Sequence, residues 1–244
     1  MERWSIYIDV EGFSEIYASD KVQALIVLGV LSKYLFRIGS KAYPREEERL
    51  YIHQLGDGFV IVSDFPEKTL ERPISIAIVL MQMILLNGGT ARAGVSHGGF
   101  ADVLGCYPDE IGDNLIDSHY LRIGAGIMTI FQVMGDALIN SHKLVHKSPK
   151  GPCLIVDPDL INFIPKTVLS FCKMNHSLIL VDWIHSSTPI VKEIYSAIGE
   201  YMYPPNVFEN LLKQYIKSFQ LNDEWLQNAM DLISNKDMGS RLES

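Results

Sequence analysis

Two short segments restrict the fold more than any other part of the chain: Tyr7-Ile8-Asp9-Val10-Glu11-Gly12-Phe13 and His53-Gln54-Leu55-Gly56-Asp57-Gly58-Phe59. In each, an apolar, strand-like run ends at a single aspartate beside glycine. Roughly fifty residues separate Asp9 from Asp57, which is room for a strand, a crossover helix and a second strand. A fold of that kind can bring both carboxylates to one edge of a sheet. Two hard oxygen ligands placed there suit Mg²⁺ or Mn²⁺ and the phosphates such ions hold.

The pattern around these segments predicts the elements that carry them. Trp4 to Val10 alternates and is rich in β-branched and aromatic residues, the signature of a strand. From Asp20 to Ile38 apolar residues recur at helical spacing. Leu50–Leu55 and Gly58–Ser63 predict a hairpin whose tip is Gly56-Asp57-Gly58. Pro73 opens a second helix over Ile74–Leu86, which Asn87-Gly88-Gly89 ends. Thr90–Ser96 predicts a strand holding Arg92, and Ala101–Tyr120 a long polar insertion. A helix over Ala137–Lys147 and late strands at Pro152–Val156 and Leu178–Val181 follow. Beyond Pro189 the pattern is helical, at Ile190–Tyr201, Val207–Phe219 and Asp223–Ile233, with a frayed tail from Asn235. This order predicts an α+β fold: a ferredoxin-like, mainly antiparallel sheet with helices on one face, plus C-terminal helices. The domain organisation expected is an α+β domain over 1–187 and a helical extension over 188–244 packed on the same domain.

Composition excludes several classes of function. Of 244 residues, 48% are hydrophobic and 20% charged, which predicts a real core rather than disorder. The formal net charge is −8 and no Lys/Arg run occurs, which argues against a nucleic-acid polymer as ligand. Cys106, Cys153 and Cys172 are far apart and odd in number, and are expected to be reduced thiols. The histidines His97, His119, His146, His176 and His185 show no His-x-x-x-His or Cys pairing among themselves, which predicts no zinc site. The strand-like start predicts no signal peptide, and Ile74–Leu86 is too short to span a bilayer, so a cytoplasmic protein without membrane attachment is expected.

Taken in order, these segments resemble the catalytic domain of the class III nucleotide cyclases. In that family an F-x-D-I-x-G-F strand exit and a G-D hairpin supply two metal-binding aspartates, matched here by Tyr7–Phe13 and Gly56-Asp57. Arg92-Ala93-Gly94-Val95-Ser96-His97-Gly98 is similar to the family's R-x-G-I-x-x-G strand, and Gly135-Asp136-Ala137-Leu138 to its G-D/N-x-V helix start. The likeness covers about residues 4–147. Departures are specific. Ile139 stands where an asparagine binds ribose, Lys143 where an arginine steadies the transition state, and His53 and Gln132 where Lys and Asp read adenine. A narrower likeness is to the bacterial Pycsar-type pyrimidine cyclases, through Asn140–Lys147 followed by Leu154-Ile155-Val156-Asp157-Pro158, Leu180–Ile184 and the helical tail.

The resemblance implies roles residue by residue. Asp9, Asp57 and the Val10 carbonyl would hold two Mn²⁺ or Mg²⁺ ions, and Gly12 and Phe13 would leave room for a triphosphate. His53 and Gln132, each able to donate and accept, would meet a pyrimidine base. Arg92 and Lys143 would face charge developing on the phosphates. The implied activity is conversion of UTP or CTP to the 3′,5′-cyclic monophosphate and pyrophosphate, a signal in bacterial antiphage defence. The implied partners are a second copy of the chain, forming a homodimer, and a separate effector that senses the cyclic nucleotide. The alternative expectation is a cyclase-fold protein that binds nucleotide or a partner with weak or no turnover, which Ile139 and Lys143 favour.

Overall fold

The computed structural model describes residues 2–116, 120–175 and 177–234. His119, His176 and the tail from Asn235, on which sequence expectations fall, lie outside the described residues. The elements in chain order are β1 (Arg3–Val10), α1 (Phe13–Ser19), α2 (Lys21–Arg37), β2 (Leu50–Leu55), β3 (Gly58–Ser63), α3 (Glu71–Leu86) and β4 (Ala91–Gly98). Then come β5 (Ala101–Asp102), α4 (Asp109–Gly112), β6 (Tyr120–Ile123), β7 (Gly126–Thr129), β8 (Val133–Met134) and α5 (Asp136–His146). The remainder is β9 (Leu154–Val156), α6 (Lys166–Leu169), β10 (Cys172–Asn175), β11 (Leu178–Val181), α7 (Pro189–Ile198), α8 (Pro205–Ser218) and α9 (Asp223–Ser234).

Seven strands form one sheet in the order β10-β11-β9-β4-β1-β3-β2, antiparallel except for the β4–β9 pair. The α+β class with a mainly antiparallel sheet is therefore the observed one. β1 lies at the centre between β3 and β4, with Asp9 opposite Gly58 on one side and Arg92 on the other. That register is what gathers the motif residues. Alternation along β1 then divides its side chains between two faces. Trp4, Ile6, Ile8 and Val10 enter the large core formed with α2, α3, α7, α8 and α9. Tyr7 joins a smaller cluster with Val60, Val62, Val133, Ala137, Leu138 and Val145.

The second cluster corrects the expectation of helices on one face. α5 covers the opposite face, packed against β1, β3 and β4 and tied down where the Ser5 hydroxyl donates to Ala137 O at 2.5 Å. Helical periodicity identifies the buried side of a helix but not the sheet face that receives it.

α3 is buried along nearly its whole length because the sheet lies on one side and α2, α7 and α8 on the other. Both ends of its one internal amide are hydrogen-bonded: Gln82 Nε2 donates to Trp183 O, and Gln82 Oε1 accepts from Tyr195 Oη, both at 2.8 Å. α2 is capped by Asp20, whose carboxylate accepts from Gln23 N at 3.0 Å. Its run into a π-helical turn makes Lys21–Ala42 the helix among the described residues that is long and apolar enough to cross a membrane. Val27, Leu31 and Tyr34 of that helix pack into the core, while Val22, Leu25, Ile26 and Phe36 face outward.

Candidate active site

The end of β1, the start of α1 and the tip of the β2–β3 hairpin form one side of a cleft of about 390 Å³. The junction of α8 and α9 forms the other. Asp9, Val10, Phe13, Asp57 and Arg92, all expected at the site from sequence, line it together. Local geometry explains why glycine flanks both aspartates. Gly12 leaves β1 at φ 71° and caps α1, a left-handed conformation that other residues adopt only with strain. Gly58 lies beneath Tyr7; a Cβ there would come within 2.5 Å of Tyr7 Oη and 3.1 Å of Ile8 O.

Four carboxylates (Asp9, Glu11, Glu15 and Asp57) and two cations (Arg92 and Lys150) line the cleft, which makes it a cation-attracting site. Arg92 Nε meets Glu11 Oε2 in an ion pair that lacks hydrogen-bond alignment, and its Nη2 lies 3.6 Å from Asp9 Oδ2. Asp9 Oδ1 is buried with no hydrogen-bond partner. Burial, and next the Asp57 charge, push the Asp9 carboxyl up to about 6, against the pull of Arg92. The same surroundings, burial first and then Asp9 and Asp57, push Tyr7 up to about 12. Asp9 and Asp57 are thus close enough to repel, and the protein leaves one oxygen of the pair open.

Whether these residues suit a divalent ion follows from the donor set. Asp9 and Asp57 offer hard carboxylate oxygens, and Val10 lines the same cleft with its main-chain carbonyl as the third candidate donor. Among the described residues no group of three or more His, Cys, Asp or Glu side chains converges to bind a metal. Two side chains leave most of a coordination sphere to water or phosphate, as Mg²⁺ prefers. The open Asp9 Oδ1 fits that use.

His53, Gln132 and Lys143 do not line this cleft. His53 packs edge-on against Phe131, with ring centroids 4.0 Å apart, and burial lowers its pKa. The neighbouring Gln132 lines a separate groove of about 360 Å³ with Arg3, Arg49, Tyr51, Asp64 and Phe100. Lys143 is exposed on α5, and Ile139 is 42% exposed on the same helix.

No family model and no curated protein matches the chain. Among solved structures it is similar to a class III adenylyl cyclase-like ATP-binding protein from Pseudomonas aeruginosa, at 14% identity and a TM-score of 0.44, over 81% of this chain and 40% of that one. It is also similar to the guanylyl cyclase Cya2, at 10% identity and a TM-score of 0.43, over 74% of this chain and 91% of that one. The chain thus spans about two-fifths of the length of the first of these structures.

Sequence reasoning missed three parts of the neighbourhood. Glu11 is a motif residue whose pairing with Arg92 depends on strand register. Lys150 and the α8–α9 junction, with Tyr215, Asn222 and Trp225, reach the cleft from far along the chain, and no local signal marks them. The third is a signal that was present: His142 and His146 do have His-x-x-x-His spacing, on α5. Burial, and then the charge of His146, hold the pKa of His142 below its ordinary value.

Proposed function

We propose that the chain is a divalent-cation-dependent nucleotide cyclase whose metal and triphosphate site is the Asp9/Asp57 cleft. The observation that carries this reading is the sharing of one cleft by the two motif aspartates, with Asp9 Oδ1 buried and unpartnered. Buried polar atoms are nearly always hydrogen-bonded, so an open carboxylate oxygen in an acidic cleft has the character of a ligand position. The reaction joins the ribose 3′ oxygen to the α-phosphorus and breaks the bond to the bridging oxygen, releasing pyrophosphate. Divalent ions held by Asp9 and Asp57 would stabilise charge on the attacking and leaving oxygens. Gly12 and Phe13 border the space for the phosphates, and Arg92 is the cation closest to Asp9.

The finer reading is a pyrimidine cyclase acting on UTP or CTP, whose product serves as an antiphage alarm. It draws on the likeness of Asn140–Lys147 and Leu154–Pro158 to the Pycsar-type enzymes. His53 and Gln132 lie away from the Asp9 cleft, so on this reading they meet a base held at the cleft of a second copy, and the working unit is a homodimer. A binding protein without turnover is the second reading. It is favoured by the engagement of Arg92 with Glu11 and by Ile139 in the place of a ribose-binding asparagine.

Incubation of the chain with each of four ribonucleoside triphosphates and Mn²⁺ tests all three statements. Pyrophosphate and a cyclic monophosphate are expected, fastest from UTP or CTP. Turnover of purines alone would remove the pyrimidine reading. Thermal stabilisation by nucleotide without turnover would establish the binding protein instead.

A further inference from the structure

Cyclisation in the cleft makes no use of the outer side of α5. There His142 and His146, one helical turn apart, direct their Nε2 atoms at each other across 3.0 Å, with ring centroids 4.3 Å apart. His142 is half-buried with its ring edge-on to Tyr7 at 4.8 Å, which fixes its position, and His146 is exposed to solvent. Imidazole nitrogens bind Zn²⁺ at about 2.0–2.1 Å, and two such bonds set 90–110° apart place their nitrogens about 2.9–3.4 Å from one another. The separation in α5 falls inside that interval.

We infer that His142 and His146 form a chelating site for a borderline divalent transition metal such as Cu²⁺, Ni²⁺ or Zn²⁺, separate from the carboxylate cleft. The donors decide the class of ion. Paired imidazoles select ions of this kind over Mg²⁺ and Mn²⁺, which prefer the oxygens of Asp9 and Asp57. No third His, Cys, Asp or Glu side chain joins the pair among the described residues, so water completes the coordination sphere. Position gives the site a link to the rest of the molecule. Tyr7, against which His142 packs, lies on the same side of β1 as Asp9, two residues away. An ion at the pair therefore adds positive charge beside the strand that carries the cleft's first carboxylate. The inference stands whether or not the cleft turns over nucleotide.

Calorimetric titration of the tag-free full chain with CuCl₂, NiCl₂, ZnCl₂ and MnCl₂ in a non-chelating buffer tests it. One equivalent of Ni²⁺ should bind, more weakly than Cu²⁺, and raise Tm. The exposed position of His146 makes His146→Ala the informative variant. It should weaken Ni²⁺ binding at least tenfold and remove the Tm increase. An Asp9→Asn/Asp57→Asn double variant should keep Ni²⁺ binding while losing Mn²⁺ binding. Absence of Ni²⁺ binding by the wild-type chain, or unchanged affinity in His146→Ala, overturns the inference and leaves the two rings as a hydrogen-bonded pair.

Discussion

Asp182 follows the end of β11 much as Asp9 lies near the end of β1, and the side chains of both are largely withdrawn from solvent, at 4% and 14% exposed. Their surroundings differ. Asp182 Oδ1 accepts from the main-chain N–H groups of Ile184 and His185, both at 3.1 Å, and its Oδ2 meets His185 Nδ1 at 2.7 Å. His185 Nε2 continues the chain to Glu209 on α8 at 3.2 Å. Every atom of that cluster has a partner, and the cluster fastens a C-terminal helix to the sheet. At Asp9 one oxygen has no partner, the Arg92 guanidinium is shared with Glu11, and Asp57 adds repulsion. A buried carboxylate that is fully hydrogen-bonded stabilises the fold. One left open destabilises it, and persists where a ligand completes its bonding.

Removing each carboxylate should therefore give opposite results. Asp9→Asn is expected to reduce nucleotide turnover by about a thousandfold, the scale of losing a group that stabilises transition-state charge. It should also abolish the Tm increase produced by Mn²⁺ with nucleotide. A variant that kept more than a tenth of wild-type turnover would show that the reaction does not use this cleft. Asp182→Ala should leave turnover nearly intact but cost about 3 kcal/mol, because it strands the buried Ile184 N–H, the partly buried His185 N–H and the His185 ring. In a chain of this length that lowers Tm by roughly 6–12 °C, readable by calorimetry. In the presence of a chelator, Asp9→Asn should do the reverse and raise Tm by a few degrees. The upward shift of Asp9 from 3.8 to about 6 corresponds to a penalty of about 3 kcal/mol on its ionised form, part of which the amide relieves.

The comparison also separates what the sequence discloses from what it does not. β1, the β2–β3 hairpin, α2, α3 and the three C-terminal helices follow from apolar periodicity with glycine, proline and capping residues at their ends. β5 arises in the polar, glycine-bearing insertion, β6 to β8 are pieces of two to four residues in a largely apolar run without polar alternation, and β10 reads Cys-Lys-Met-Asn, which carries no strand pattern. Asp9 and Asp57 are legible because the backbone at each requires glycine, and that requirement is local. The Arg92–Glu11 pair and the Asp182–His185–Glu209 chain are not. The first depends on the register of β1 against β4, the second on where α8 docks. Periodicity gives the buried side of α5, whereas only the assembled sheet shows that this side covers the face opposite α3.

The smallest expected effect is one of pH, and its two halves fall in different windows. Asp9 is a carboxyl whose folded pKa is raised. Its unfavourable contribution is absent below about pH 3.8, grows as pH rises toward 6 and is constant above that. His185 is a base whose folded pKa is raised, first by the hydrogen bond to Asp182 and further by Glu209, against burial. The groups that face it are Asp182, Glu209 and, through Glu209, Lys213 at 3.7 Å. Its stabilising contribution is complete below about pH 6.5, the ordinary histidine value, and declines as pH rises through the higher folded value. Each contribution should therefore be read in chelator as a difference in Tm between a variant and the wild-type chain across its own window. Asp9→Asn should change the slope of Tm against pH only in the acidic window, and His185→Asn only above pH 6.5. If His185→Asn left the upper slope unchanged, the satisfied cluster would owe its stability to its main-chain bonds alone, and the contrast with Asp9 would narrow to a single unpartnered oxygen.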